Sequence, residues 1–137
     1  MKTVIQGAAR KTPGAGSLAA ADGRPILFVA HPALAPPDPR RVLARPDDRA
    51  QDGRTWRARL MAYNDGPDNP LNLLPAYQLY AHDAYRALAQ TFGIDEVFIL
   101  SAGWGLISAS FLTPSYDITF KATKTAPWKR RRQDERY

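Results

Sequence analysis

Glu96-Val97-Phe98-Ile99-Leu100-Ser101-Ala102-Gly103-Trp104-Gly105-Leu106 is the stretch on which the fold turns. A continuous apolar run, Val97 to Leu100, reads as a strand buried on both faces, as in a sheet covered by helices. It ends in small residues and two glycines. In an open α/β sheet, that place beyond the strand's carboxyl end is where a ligand usually sits. Gly103 and Gly105 permit a sharp turn and a close backbone approach. Ser101 adds a hydroxyl and Trp104 a flat aromatic face. A tight turn with a backbone-bonded serine and a core tryptophan accounts for the same residues. The spacing of Gly-Trp-Gly matches neither a phosphate loop nor a dinucleotide fingerprint.

Outward from this segment the pattern alternates. Thr3 to Ala8 reads as a first strand and Pro25 to Ala30 as a second, apolar throughout. Thr55 is placed to cap a short helix carrying Trp56, Leu60 and Tyr63 on one face, which Asn64 to Pro70 ends with turn chemistry. A long helix is expected from Pro75 to Phe92, with Pro75 in the first turn and Gly93 just past the last. Tyr77, Ala81, Ala84, Tyr85, Leu88 and Phe92 form its apolar stripe; Gln78, His82, Arg86 and Gln90 follow another face. Tyr116 to Phe120 reads as a fourth strand. Pro32 to Gly53 carries five prolines among many charges, which argues against regular structure there. The expected fold is α/β: a three-layer domain with a central mixed or parallel sheet flanked by helices. One domain spans residues 1–120, with a Pro-rich loop at about 32–54, followed by a basic tail at 121–137.

Composition narrows the function classes. A chain of 137 residues, 45% hydrophobic and 23% charged, is ordinary for one globular domain. No apolar run approaches the ~20 residues of a membrane span, and the first residues are too polar for a secretory leader. The absence of cysteine excludes disulfides, thiolate–zinc sites and a thiol nucleophile, and fits a cytoplasmic protein. Two histidines, His31 and His82, and unclustered carboxylates leave no metal site to expect, and no cofactor is expected. His82 reads as a surface residue and His31 as a loop residue. The formal charge is +6, yet from Lys121 onward seven basic residues face two acidic ones, so the excess sits in the tail.

Leu100-Ser101-Ala102-Gly103-Trp104-Gly105-Leu106, followed by Pro114 and by Tyr116-Asp117-Ile118-Thr119-Phe120, resembles the signature of the YaaA-type peroxide-stress proteins and a related bacterial and phage family. The preceding helix and strand, from Leu73, are similar to that wider group, so the likeness covers about Leu73 to Phe120. First strands of the group often end in Cys followed shortly by Lys; this chain has Gln6-Gly7-Ala8-Ala9-Arg10-Lys11. The resemblance implies a three-layer core, and an association with DNA binding and protection against oxidative damage.

The candidate catalytic residues are Asp117 and Ser101. Asp117 reads as a general acid/base, as an acceptor for a base or sugar edge, or as a structural carboxylate at a turn. The candidate ligand-binding residues are Lys11, Gly103, Trp104, Gly105 and Tyr116. Tyr116 is either a stacking platform or core, and Lys11 either an anion partner or a solvated loop residue. Trp128, Lys129, Arg130, Arg131 and Arg132 join an aromatic to a basic cluster, the pattern that attracts phosphate backbones and stacks bases, or else a solvated terminus. The leading expectation is a nucleic-acid-associated protein binding a nucleotide or nucleobase at the loop after the 96–101 strand. The alternatives are an enzyme acting on a nucleotide or glycosidic bond, and a non-catalytic interaction module. Neither a membrane partner nor a defined oligomeric state follows from the sequence.

Overall fold

The computed structural model describes residues 2–121 and 126–131. In chain order the strands are β1 (Thr3–Gly7), β2 (Ile26–Val29), β3 (Val42–Ala44), β4 (Leu74–Pro75), β5 (Val97–Ser101), β6 (Gly105–Ser108), β7 (Leu112–Thr113) and β8 (Tyr116–Asp117). The α-helices are α1 (Trp56–Asp65), α2 (Ala76–Leu79) and α3 (Asp83–Phe92). The protein is α/β, with the parallel and antiparallel pairing of a mixed architecture distributed over three small sheets. In the first, β1 runs parallel to β5, Thr3 opposite Val97 through Gly7 opposite Ser101, and β6 returns antiparallel on the far side of β5. In the second, β2 lies between β3 and β8, parallel to both. β4 and β7 form a short antiparallel pair. Among the described residues, no helix is long and apolar enough to cross a membrane.

α1 forms as its residues dictate. The Thr55 hydroxyl accepts the Ala58 N–H at 3.0 Å, and Trp56 and Leu60 are buried on one face. Gly93 ends α3 with φ 89°, a backbone conformation that costs glycine little. The long helix expected over Pro75–Phe92 is interrupted, however. α2 stops at Leu79, Tyr80 is extended (φ −88°, ψ 124°), and α3 restarts after His82, whose Nδ1 accepts the Ala84 N–H at 3.0 Å. His82 is therefore a helix cap rather than a residue on a helix's polar face. The cause is tertiary. Tyr80 bridges antiparallel to Lys11, with Thr12 N–H donating to the Leu79 carbonyl and Ala81 N–H to the Arg10 carbonyl, both at 2.6 Å. Those bonds, and the complete burial of Tyr80, outweigh a helical propensity worth only tenths of a kcal/mol per residue, roughly.

Three further expectations are corrected. β5 is not buried on both faces: Val97, Ile99 and Ser101 are covered, while Phe98 and Leu100 remain part-exposed. Their face of the sheet also carries Val4, 59% exposed, and Leu106, 55% exposed. The Pro-rich segment contains regular structure, because Val42–Ala44 pairs with β2 at the sheet's edge, between Pro39 and Pro46. An edge strand needs ladder bonds on one side only, so flanking prolines are tolerated. Finally, β8 covers only Tyr116–Asp117; at Thr119 the chain pairs instead with the C-terminal segment. Thr119 N–H donates to the Lys129 carbonyl at 2.6 Å and Arg131 N–H to the Thr119 carbonyl at 2.7 Å. The Trp128 carbonyl accepts from Ala30 and His31 at 2.9 and 3.0 Å. Residues 126–131 are thus stitched to the body of the domain.

The one-sided burial of the first sheet makes a measurable contrast. Ile99→Ala, at a fully buried position, should cost about 2–5 kcal/mol in denaturant unfolding through lost transfer energy and a residual cavity. Val4→Ala, on the open face, should stay within about 0.5 kcal/mol of the parent.

Candidate functional site

The carboxyl ends of β1, β5 and β8 meet over two tyrosines. Tyr80 and Tyr116 are buried with their hydroxyls 2.6 Å apart and their rings edge to face. Burial above all raises both phenols beyond the ordinary tyrosine range, so each remains a neutral donor and acceptor. Space for them comes from glycine. A Cβ on Gly7 would lie 2.5 Å from the Tyr80 hydroxyl oxygen, and one on Gly103 would lie 2.9 Å from the Tyr116 ring. The closeness that Gly103 provides is therefore to Tyr116, a core side chain. Gly105 serves the turn itself, with φ 82°.

Ser101 and Trp104 are drawn into the same packing. The Ser101 Oγ accepts from the Gly103 and Trp104 N–H groups at 3.2 and 3.0 Å, closing the turn from within. The Trp104 ring packs edge-on to Phe28 at 4.8 Å between centroids. Its carbonyl is held by Arg57 at 2.9 Å, and the Gly103 carbonyl by the same guanidinium at 3.3 Å. Ser101, Gly103 and Gly105 line neither the Lys11 cavity nor the Trp128–Lys129 groove described below, and Trp104 borders a separate apolar groove beside α1. The loop is a buried turn whose backbone is bonded from within and by Arg57.

Accessible chemistry lies one layer out. The Lys11 ammonium stands 4.1 Å from the centre of the Tyr116 ring and 5.8 Å from that of Tyr80. The Lys11–Tyr80 bridge fixes the backbone beneath it. Burial lowers the Lys11 pKa below its ordinary 10.5; Asp117 opposes that shift and Lys129 adds to it. Lys11 opens into a cavity of about 260 Å³ between Gly7, Ala8, Ala102 and the 118–121 segment. Asp117 lies on the other side, its carboxylate 3.3 Å from the Lys129 ammonium. This pair lines a groove of about 530 Å³. Leu27, Val29 and Leu43 supply its apolar surface, Trp128 an aromatic one, and the Pro-rich loop a wall carrying Arg40 and Arg41. Asp38 holds those arginines at 3.6 and 2.9 Å, and their bonds keep its carboxyl below the usual range.

The structure thus gathers Lys11, Asp117, Trp128 and Lys129, which are distant in sequence, around neighbouring concavities. Tyr116 is the buried platform under Lys11. Arg130 is exposed, Arg131 is half-buried beside Thr119, and Arg132 lies outside the described residues. Tyr80, Arg40 and Arg41 escaped sequence reading: Tyr80 resembles its neighbour Tyr77 in the helical pattern, and nothing local ties the arginines to a site. Among the described residues, no three histidines or carboxylates converge as metal ligands. A cation over an aromatic face, an ion-paired carboxylate, an indole and an apolar floor suit a ligand with a flat ring and an anionic group.

No family model, curated protein or solved structure matches the chain.

Because Gly7 is defined by the space that Tyr80 needs, Gly7→Ala should destabilise the protein by about 1–3 kcal/mol through overpacking. Chemical denaturation of the purified variant measures this. A variant as stable as the parent would mean that Tyr80 is free to move aside.

Proposed function

We propose that the protein binds a nucleotide, alone or within single-stranded nucleic acid, across the Lys11 cavity and the Trp128–Lys129 groove. The observation that carries this reading is the gathering of Lys11, Asp117, Lys129 and Trp128 at the carboxyl ends of parallel strands. Lys11 and Lys129 offer charge to a phosphate, Trp128 a stacking face, and Asp117 an acceptor for a base or sugar edge. Kinship with the YaaA-type group over residues 73–120 belongs to the same proposal, since that group is associated with DNA binding. The Asp117–Lys129 ion pair favours binding over acid–base catalysis, because the carboxylate is already engaged.

Fluorescence anisotropy with a short oligothymidylate, at several salt concentrations, tests the reading. Lys129→Ala should weaken binding and flatten the salt dependence by ~0.7 log units per log unit of salt for one lost phosphate contact. Trp128→Ala should cost about 1–3 kcal/mol of binding and leave the slope unchanged. No affinity for the oligonucleotide or for nucleoside monophosphates, or affinity unaffected by both substitutions, would reject the assignment.

Lys11 makes a separate prediction with pH. A cation whose folded pKa is lowered opposes folding while protonated, and stability rises with pH between that lowered pKa and 10.5. Lys11→Met should therefore leave melting temperature unchanged or raise it, while weakening nucleoside monophosphate binding. In the parent, affinity should decline with rising pH before an ordinary lysine would titrate, and the variant should lack that step. Calorimetric titration across alkaline pH reads both.

A further inference from the structure

Lys11 differs from the other described lysines in what surrounds its amine. Lys2 is exposed, and Lys129 is paired with Asp117. Among the described residues the Lys11 ammonium meets no carboxylate at ion-pair distance and no hydrogen-bond acceptor; its contacts are the rings of Tyr116 and Tyr80. The cavity beside it, about 260 Å³, is walled largely by Gly7, Ala8, Ala102, Ile118 and Phe120. The backbone that carries Lys11 is clamped on both sides. The Arg10 carbonyl accepts from Ala81, the Thr12 N–H donates to the Leu79 carbonyl, and the Thr12 hydroxyl donates to the Gln78 carbonyl at 2.7 Å. The amine thus stands on a fixed root at the wall of a small, mostly apolar space.

An amine so placed is suited to attack a carbonyl carbon. Removal from water and the nearness of a second cation are the two ways in which a protein readies a lysine for that step. Both act here: burial favours the neutral amine most, and the Lys129 charge works in the same direction, against Asp117. The same cavity carries one more cation, the exposed Lys121. The turn that presents it is closed by the Thr119 hydroxyl, which donates to the Lys121 carbonyl at 2.8 Å. Lys121 therefore offers charge to an anionic group of whatever Lys11 captures. The cavity lies at the small end of the range for ligand pockets, so the captured molecule or group is small.

We infer that Lys11 forms an imine with a small phosphorylated aldehyde whose phosphate is held by Lys121. The inference rests on the nucleotide reading only in placing a phosphate-bearing ligand in the Lys11 cavity. In the step, the Lys11 Nζ adds to the carbonyl carbon and the new C–N bond becomes C=N. The carbonyl oxygen leaves as water, taking both hydrogens of the neutral amine. Nothing is oxidised or reduced, and no co-reactant is needed. Protonation of the imine nitrogen restores a cation over the Tyr116 ring, so the contact that holds the ammonium at 4.1 Å serves the adduct as well. A free sugar phosphate in its open form and the abasic sugar of a single strand share this chemistry, an aldehyde close to a phosphate.

Trapping of the full chain at neutral pH with sodium cyanoborohydride, which reduces an imine to a stable secondary amine, tests this. Pyridoxal 5′-phosphate serves as the free aldehyde, and an oligothymidylate carrying one abasic sugar as the strand-borne one. Peptide mass mapping should place the first adduct on Lys11, roughly tenfold or more ahead of Lys2 and Lys129. The probe that labels Lys11 faster assigns the source. Lys11→Met should abolish that adduct. Lys121→Ala should slow capture of pyridoxal 5′-phosphate and leave capture of unphosphorylated pyridoxal as it was. No Lys11 adduct from either probe, or one that forms no faster than those on Lys2 and Lys129, overturns the inference, even where intact oligothymidylate binds. A selective Lys11 adduct in a protein with no affinity for intact oligothymidylate or nucleoside monophosphates upholds the imine and rejects the nucleotide reading.

Discussion

The contact between the Tyr80 and Tyr116 hydroxyls, 2.6 Å apart and buried beneath the strand ends, constrains the rest of the structure. Two large phenols fit there only because Gly7 and Gly103 carry no Cβ. Bringing Tyr80 to that place interrupts the helical run at Leu79 and aligns it with Lys11. Bringing Tyr116 there puts Asp117, the next residue, on the opposite side, beside Lys129. The hydroxyl contact itself contributes only about 0.5–1.5 kcal/mol net. Its larger consequence is positional.

Lys11 follows from this arrangement. Its ammonium is held against two aromatic faces and near one carboxylate, compensations for a burial that still lowers its pKa. A cation kept under those conditions is a poor device for stability and a good one for attracting an anion into a small space. The two elements that look least structured in composition complete the surface. The Pro-rich loop pairs through β3, and the basic C-terminal segment is bonded to Ala30, His31 and Thr119. Together they enclose the groove that Asp117, Trp128 and Lys129 line.

The first sheet is lopsided for a physical reason. β1 and β5 alternate buried and exposed residues, because the core lies against one face while Val4, Phe98, Leu100 and Leu106 remain open to varying degrees on the other. Leu106, 55% exposed, lies on β6, the end strand of this sheet among the described residues.

Short-range physics was legible in the residues alone. Thr55 and the Trp56–Leu60 spacing specified α1, Gly93 specified the end of α3, and the apolar runs specified β1, β2 and β5 as strands of an α/β domain. These outcomes depend on capping, backbone conformation and hydrophobic periodicity within a few residues. The division of the Pro75–Phe92 segment, the strand inside the Pro-rich loop and the docking of residues 126–131 depend on partners far along the chain. So does the candidate site. In sequence, Gly103 and Trp104 look like ligand contacts and Lys11 like a loop cation. Only packing decides that Gly103 yields its space to Tyr116, that Trp104 rests against Phe28, and that Lys11 stands over the ring. Local pattern selects an element; which face of it meets solvent is settled by what the folded chain brings against it.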